Sequence, residues 1–373
     1  MSSTIENAVS HLADAPEVLA SKHALVGLDG FVDSIIRVVQ KKTKSGDRTH
    51  YPSISSLAER IAAAAGKSTA LELTIQTVKL GGNGPIMANA LCSFDLPLTY
   101  IGAVGDVDGD GVHPVFQPMA NACEVIVVAE TAYTDALEFN DGKLMLQKME
   151  CLDNLSYDSI IACTGEEGLF NLFEKADAVA LNHWSSIPHM TELWQRIQSD
   201  ICPKLSERPR HIFFDLADPQ KRDSEDIADA LQTLAKFQSW YDTSLGLNEK
   251  EGEHICGVLG LNPSGDTKEE LMMARATAIR NALGIHSVVV HPVEFAAAAT
   301  AETTKVVQGP YVAEPLISTG AGDHFNSGYF LGQILGAPLE VRLQMGVGTS
   351  GYYVRTAKSP STKDLADFLT SIA

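Results

Sequence analysis

From residue 178 onward, short apolar strand-like segments alternate with amphipathic helical ones, and this alternation constrains the fold more than any other feature. "DAVALNHW" is followed by "MTELWQRIQSDICPKL", "HIFFDLAD" by "SEDIADALQTLAKFQSW", and "TSLGLN" by "TKEELMMARATAIRNALG" and then "HSVVVHP". Repeated strand–helix units of this kind imply a parallel sheet covered by helices on both faces. The expected fold class is therefore α/β, a doubly wound, mainly parallel sheet. The first half is punctuated differently. "HALVGLDGF" reads as a buried strand ending in a glycine turn, and "LGGNGPIMANALCSF" as a glycine turn entering a helix. "ALEFNDGKLMLQKM" reads as a hairpin closed by Asn-Asp-Gly. With the polar stretch "QKKTKSGDRTHYPS" it suggests a small β lid, formed by insertions near 34–53 and 125–150 of a single domain spanning 1–373.

The chain has 373 residues, 45% of them apolar, enough for one large α/β domain with an appendage. A formal charge of −19 argues against general binding to nucleic acid or anionic membranes, though not against a small phosphorylated ligand. The six cysteines are scattered without CxxC or metal-ligand spacing and read as reduced residues of a cytoplasmic protein. No window of eighteen residues is uniformly apolar, and the N-terminus lacks the pattern of a secretory signal, so neither a membrane span nor export is expected.

Four short motifs carry chemistry. "ISTGAGDHFNSGYF" sets Gly320, Ala321 and Gly322 directly before Asp323 at the start of an apolar segment. Asp323 could serve only as a helix cap; alternatively, bare backbone N–H groups at a helix N-terminus bind an anion beside a working carboxylate. "GGNGPIMANAL" brings Gly81, Gly82 and Asn83 to the mouth of a helix, "GLDGFVD" places Asp29 and Asp33 four apart near a strand end, and "LNEKE" puts Asn248 and Glu251 just after a strand. "AAAAGKST" is not a phosphate loop, because Ile61 stands where its first glycine belongs and no strand precedes it.

Taken in order, GLDGFVD, GGNGPIMANAL, IGAVGDVDGDG, NEKE and STGAGDHFNSG resemble the ribokinase-like (PfkB) carbohydrate kinase family over about 25–355. The resemblance implies an Mg²⁺-dependent transfer of the ATP γ-phosphate to a hydroxyl of a sugar or sugar derivative. It implies Asp323 as the base, and the amides of Gly320, Ala321 and Gly322 as the anion hole. Asn248 and Glu251 would organise Mg²⁺ and phosphates through water, with Thr319 beside the nucleotide. Asp29, Asp33, Gly81, Gly82, Asn83 and Asn182 would line the sugar. A β lid of this kind is expected to have exposed edges that a second copy of the chain could cover, giving a homodimer. Two features depart from the family. Ile317 replaces an aspartate that helps hold a monovalent cation, and "HPVEFAA" puts Val293 and Ala296 where the nucleotide loop has glycines. A nucleoside kinase of the same fold, or a non-catalytic sugar- or nucleotide-binding relative, remain open alternatives at this point.

Overall fold

A computed structural model describes residues 3–107 and 111–373. Residues 108–110 of the GDVDGDG motif lie outside the described residues. In chain order the strands are β1 (Ala24–Gly27), β2 (Phe31–Lys42), β3 (Arg48–His50), β4 (Leu73–Gly81), β5 (Leu98–Gly102), β6 (Glu124–Val127) and β7 (Ala132–Phe139). They continue with β8 (Gly142–Lys148), β9 (Ala178–Asn182), β10 (His211–Asp215), β11 (Asp242–Leu247), β12 (Ser287–Val290), β13 (Phe295–Ala299) and β14 (Thr304–Gln308).

The main sheet has the order β14-β13-β12-β11-β10-β9-β1-β5-β6. It is parallel from β6 to β12, and β13 and β14 add an antiparallel edge. Successive strand residues enter opposite layers of core, as a two-residue side-chain period requires. Leu25, Val179, Ile212 and Val288 pack into one layer with the helices between Tyr157 and Leu283. Val26, Ala180, Phe213 and Val289 pack into the other with the first helix (Ser3–Leu19), the helix Asn83–Ser93 and the last three helices. Sheet order reverses at β1, from which the chain first runs outward to β5 and β6 and later returns to β9. The crevice beyond the C-terminal ends of β1 and β9 is therefore the topological switch point, where open α/β sheets bind ligands.

The second sheet has β2 at its centre, paired antiparallel with β4 and β3 and parallel with β7, which in turn pairs with β8. It keeps a small core of its own around Ile36, Val38, Tyr51, Leu57, Leu137 and Phe139. Its membership differs from the sequence expectation in two ways. Strand β4 belongs to it, although it lies outside both expected insertions; and residues 124–127 belong to the main sheet, where β6 continues the parallel edge beside β5. Residues 295–297, read as part of a nucleotide loop, belong to an antiparallel edge strand (295–299), which pairs with a second one at 304–308. Among the described residues, no helix is long and apolar enough to cross a membrane.

Candidate active site

The loop "STGAGD" ends at the helix Ala321–Ile334, whose N-cap is Gly320 at φ +91°. That backbone conformation favours glycine. Asp323 is thus the third helical residue and not the N-cap, which removes the simplest structural reading of it. The loop is clamped from behind. His324 Nδ1 donates to the Gly320 carbonyl at 2.7 Å, leaving Nε2 to accept from the Ser359 hydroxyl at 2.9 Å. The same ring stacks on Tyr353 at 3.6 Å, and the Tyr353 hydroxyl donates to the Thr319 carbonyl at 3.0 Å. Burial holds the His324 imidazole down to about 4, so it stays neutral. The Ala321 amide donates to the Ser318 carbonyl at 3.2 Å. This corrects the expectation that all three amides of Gly-Ala-Gly are open to an anion, since one of them closes the turn.

Asp323 faces a group of acidic side chains gathered from the strand ends. Burial pushes its carboxyl well above the usual carboxylate range, and the charges of Asp215 and Asp29 push it further. Asp215, at the end of β10, was not singled out in the sequence. It is buried, accepts from Asn83 Nδ2 at 3.2 Å, Asn326 Nδ2 at 2.9 Å and the Ala217 amide at 2.9 Å, and is itself raised by burial. The rule that ligands sit at C-terminal strand ends was the signal that could have found it.

Asp29 is completely buried, and its oxygens accept from the Asn83 amide at 2.9 Å, the Gly84 amide at 2.8 Å and His183 Nδ1 at 2.6 Å. It anchors the start of the helix Asn83–Ser93, so the expectation of an open sugar acceptor at this position is corrected. Asn182 is buried, its amide donates to Met87 Sδ at 3.1 Å and its Oδ1 has no partner among the described residues, and the next residue, His183, is at the cleft. Asn248 and Glu251 form a reciprocal capping box (2.8 and 3.0 Å), and Glu251 also accepts from the Asp218 amide at 2.9 Å. Burial, with Asp215 next in weight, pushes Glu251 up to about 7.

The second sheet turns one face to this crevice. Asp33 on β2 lies opposite Lys79 on β4 and Thr134 on β7. Burial raises the Asp33 carboxyl against the pull of Lys79, and burial lowers the Lys79 ammonium. A Cβ on Gly81 would lie 2.4 Å from the Asp33 carboxyl carbon, so this glycine leaves the room that Asp33 occupies. On β8, Lys143 pairs with Glu138 at 2.9 Å and reaches Thr319 Oγ1 at 3.4 Å, tying the second sheet to the loop before the helix. Neither lysine was singled out in the sequence, and Lys79 lies on β4, which was not read as a strand.

On the other side of Gly322 is a cavity of about 390 Å³. Asn248, Ser318, Ala321 and Gly322 lie at its polar end; Pro292, Val293, Phe295, Pro310, Tyr311, Val347 and Val354 form its apolar wall. Of the two residues expected to crowd a nucleotide loop, only Val293 is at the rim, 79% exposed. Ala296 is a buried β13 residue paired with Val307 and cannot reach it.

The pH dependence of stability follows from the signs of these shifts. Asp33, Asp215, Glu251 and Asp323 bind protons more tightly when folded than when unfolded. Their stabilisation is therefore present at low pH and is lost as pH rises through the folded values, near 7 for Glu251. His291 and His324, both lowered to about 4 by burial, act oppositely, but only below the ordinary histidine range. Between about pH 6.5 and 8, the stability of the ligand-free protein is expected to fall as pH rises, by on the order of 1 kcal/mol for one unit of titration, and its melting temperature should fall with it. Glu251→Gln should flatten that slope; an equal slope in the variant counts against the assignment.

The profile of the family described as prokaryotic ketohexokinase matches residues 2–372. A ketohexokinase from Haloferax volcanii is 25% identical over 370 residues, covering 98% of this chain and 95% of that protein. Among solved structures, ribokinase from Thermotoga maritima superposes with a TM-score of 0.63 at 15% identity, covering 94% of this chain and 99% of that one. Phosphofructokinase-2 from Escherichia coli in complex with fructose-6-phosphate gives 0.62 at 16% identity, with 94% and 98% covered. Kinases of this family use ATP and typically Mg²⁺. The chain belongs to the prokaryotic ketohexokinase family and is a carbohydrate kinase of the ribokinase-like fold, moving a phosphoryl group from ATP to a sugar hydroxyl.

Proposed function

We propose that this kinase phosphorylates a ketohexose, with Mg-ATP as donor and Asp323 as the base. The observation that carries this reading is the position of Asp323. It stands on a helix N-terminus with the second sheet's Asp33 face on one side and the nucleotide-sized cavity on the other. A raised carboxyl pKa in the free enzyme suits a group that must accept a proton from an alcohol. The Gly320 and Gly322 backbone would stabilise charge developing on the transferred group, with no reorganisation needed at the moment of reaction. Asp33 and Asn83, with Gly81 and Gly82 leaving space, would hold the sugar, while the second sheet excludes water that could otherwise accept the phosphoryl group.

The donor set suits Mg²⁺ held through water rather than directly. Both oxygens of Glu251 already bind backbone amides, and no group of three or more His, Cys, Asp or Glu among the described residues is placed to hold a metal ion. Glu251 and Asn248 would take its waters. Bound Mg²⁺ would neutralise phosphate charge during transfer.

Lys79 and Lys143 each share their face of the sheet with a carboxylate, Asp33 and Glu138. This near-balance of charge favours a neutral sugar over a phosphosugar. Measuring ADP release with ketohexoses, aldohexoses, fructose 6-phosphate and nucleosides tests the reading. A ketohexose should give the highest kcat/KM, and preference for a nucleoside or phosphosugar would overturn it.

A cytoplasmic setting suits the six unpaired cysteines. We place a homodimer contact at the second sheet. The outer edge of β4 carries exposed Leu73, Ile75 and Val78, and β8 carries exposed Met145 and Leu146. Sedimentation at micromolar concentration should show a dimer, and Ile75→Lys should shift it to monomer. A monomeric wild type would refute the contact.

A further inference from the structure

The mechanism above gives no task to His183, which nevertheless has the most deliberate setting in the cleft. It follows the last residue of β9 with a left-handed backbone at φ +66°. This conformation is uncommon outside glycine, and strain of this kind collects at functional sites. Its amide donates to the Asp215 carbonyl at 2.9 Å, and its ring stacks on Phe31 at 5.2 Å and 19°. Its Nδ1 lies 2.6 Å from Asp29 Oδ2. Both Asp29 oxygens also accept amides at a helix N-terminus, and an oxygen that accepts there accepts from the ring as well, so Nδ1 is the donor. One tautomer is thereby fixed. In that tautomer Nε2 carries the ring's lone pair and is its hydrogen-bond acceptor, and 8% of the side chain remains open. The ring is a close neighbour of Asp33 and Asp215.

We propose that His183 is a substrate-binding residue, held by Asp29 so that Nε2 accepts a hydrogen bond from a sugar hydroxyl other than the one phosphorylated. The proposal rests on the sugar-kinase reading of this cleft. It assigns Asp29 an indirect part in recognition: the carboxylate never touches the sugar but sets the tautomer that does. It also makes the site demand a hydroxyl at that position, because an ether or a deoxy carbon has no proton to give.

The test uses the full-length enzyme, D-fructose and a set of monodeoxy fructoses. His183→Asn keeps an amide donor for Asp29 and tolerates the left-handed backbone, but lacks Nε2. It should raise the fructose KM roughly three- to thirtyfold, the range for losing one hydrogen bond in a closed site, with kcat and the ATP KM nearly unchanged. One deoxy sugar should show the same rise with the wild type and no further loss with the variant. A lower melting temperature with an unchanged fructose KM would mean a purely structural histidine and would overturn the proposal, as would equal losses with every deoxy sugar. A second arm needs no variant. In ¹⁵N-histidine-labelled enzyme without nucleotide, the Nε2 resonance of His183 should move on saturation with fructose, and a stationary resonance overturns the proposal. If the wild type fails to turn over any ketohexose, the functional reading fails separately, and both arms are run with the sugar it does phosphorylate.

Discussion

Asp323→Asn should lower turnover by on the order of a hundredfold to ten-thousandfold, the usual range for losing a general base, while the melting temperature of the ligand-free protein stays level or rises. The two halves of this expectation have one cause. Asp323 is held beside Asp215, Asp29 and Glu251 in a buried crevice, and these charges and burial raise its pKa. Deprotonated, it is a strained neighbour and a competent proton acceptor; the amide is neither. Because Gly320 is the N-cap, the substitution removes no cap bond. Nucleotide binding should persist, since the glycine amides and the cavity beyond Gly322 are untouched. A purely structural Asp323 predicts the reverse, near-normal turnover and lower stability. Turnover, ATP affinity and thermal melting of Asp323→Asn and Asp323→Ala separate the two, and more than about a tenth of the wild-type rate in Asp323→Asn would refute the assignment.

What the sequence disclosed and what it hid divide along local and non-local lines. The parallel sheet was readable because β9, β10 and β11 are each followed by a crossover helix, and Gly320–Asp323 because glycines before a helix are a local signal. The last two long apolar segments, expected as helices near 323–335 and 338–355, are helical over 321–334 and 339–356. Strand β4 was missed because "LTIQTVKLG" mixes polar and apolar residues, and its partner β2 lies about forty residues earlier. Lys79 was lost with it. Asp29 looked like an open carboxylate because nothing in "GLDGFVD" shows that Asn83, Gly84 and His183 converge on it from two other segments. The alanines of β13 looked like loop because small residues give little strand signal. Ala296 and Ala298 face the layer of core shared with the helices Ala321–Ile334 and Leu339–Thr356, and Ala297 and Ala299 face the opposite layer.

Gly81→Ala is expected to weaken sugar binding as much as loss of Asp33 itself. The added methyl would lie 2.4 Å from the Asp33 carboxyl carbon and 2.4 and 2.5 Å from its oxygens, closer than real contacts allow. Gly81 pairs with Phe31 across β2, and Gly82 opens the helix that Asp29 anchors, so β4 is held at this end by the sheet and by the turn. The less constrained partner is the Asp33 side chain, and it should rotate away from the crevice. A carboxylate accepting sugar hydroxyls contributes roughly 1.5–3 kcal/mol per charge-assisted bond, so the sugar KM should rise about ten- to a hundredfold. The ATP KM should hold, because the cavity lies on the far side of Asp323. The decisive measurement is a double-mutant cycle. If the methyl acts by displacing Asp33, then Gly81→Ala adds nothing in an Asp33→Ala background, and the two losses are strongly non-additive. Additive losses would mean that the methyl meets the sugar directly, and that Asp33 is not what Gly81 makes room for.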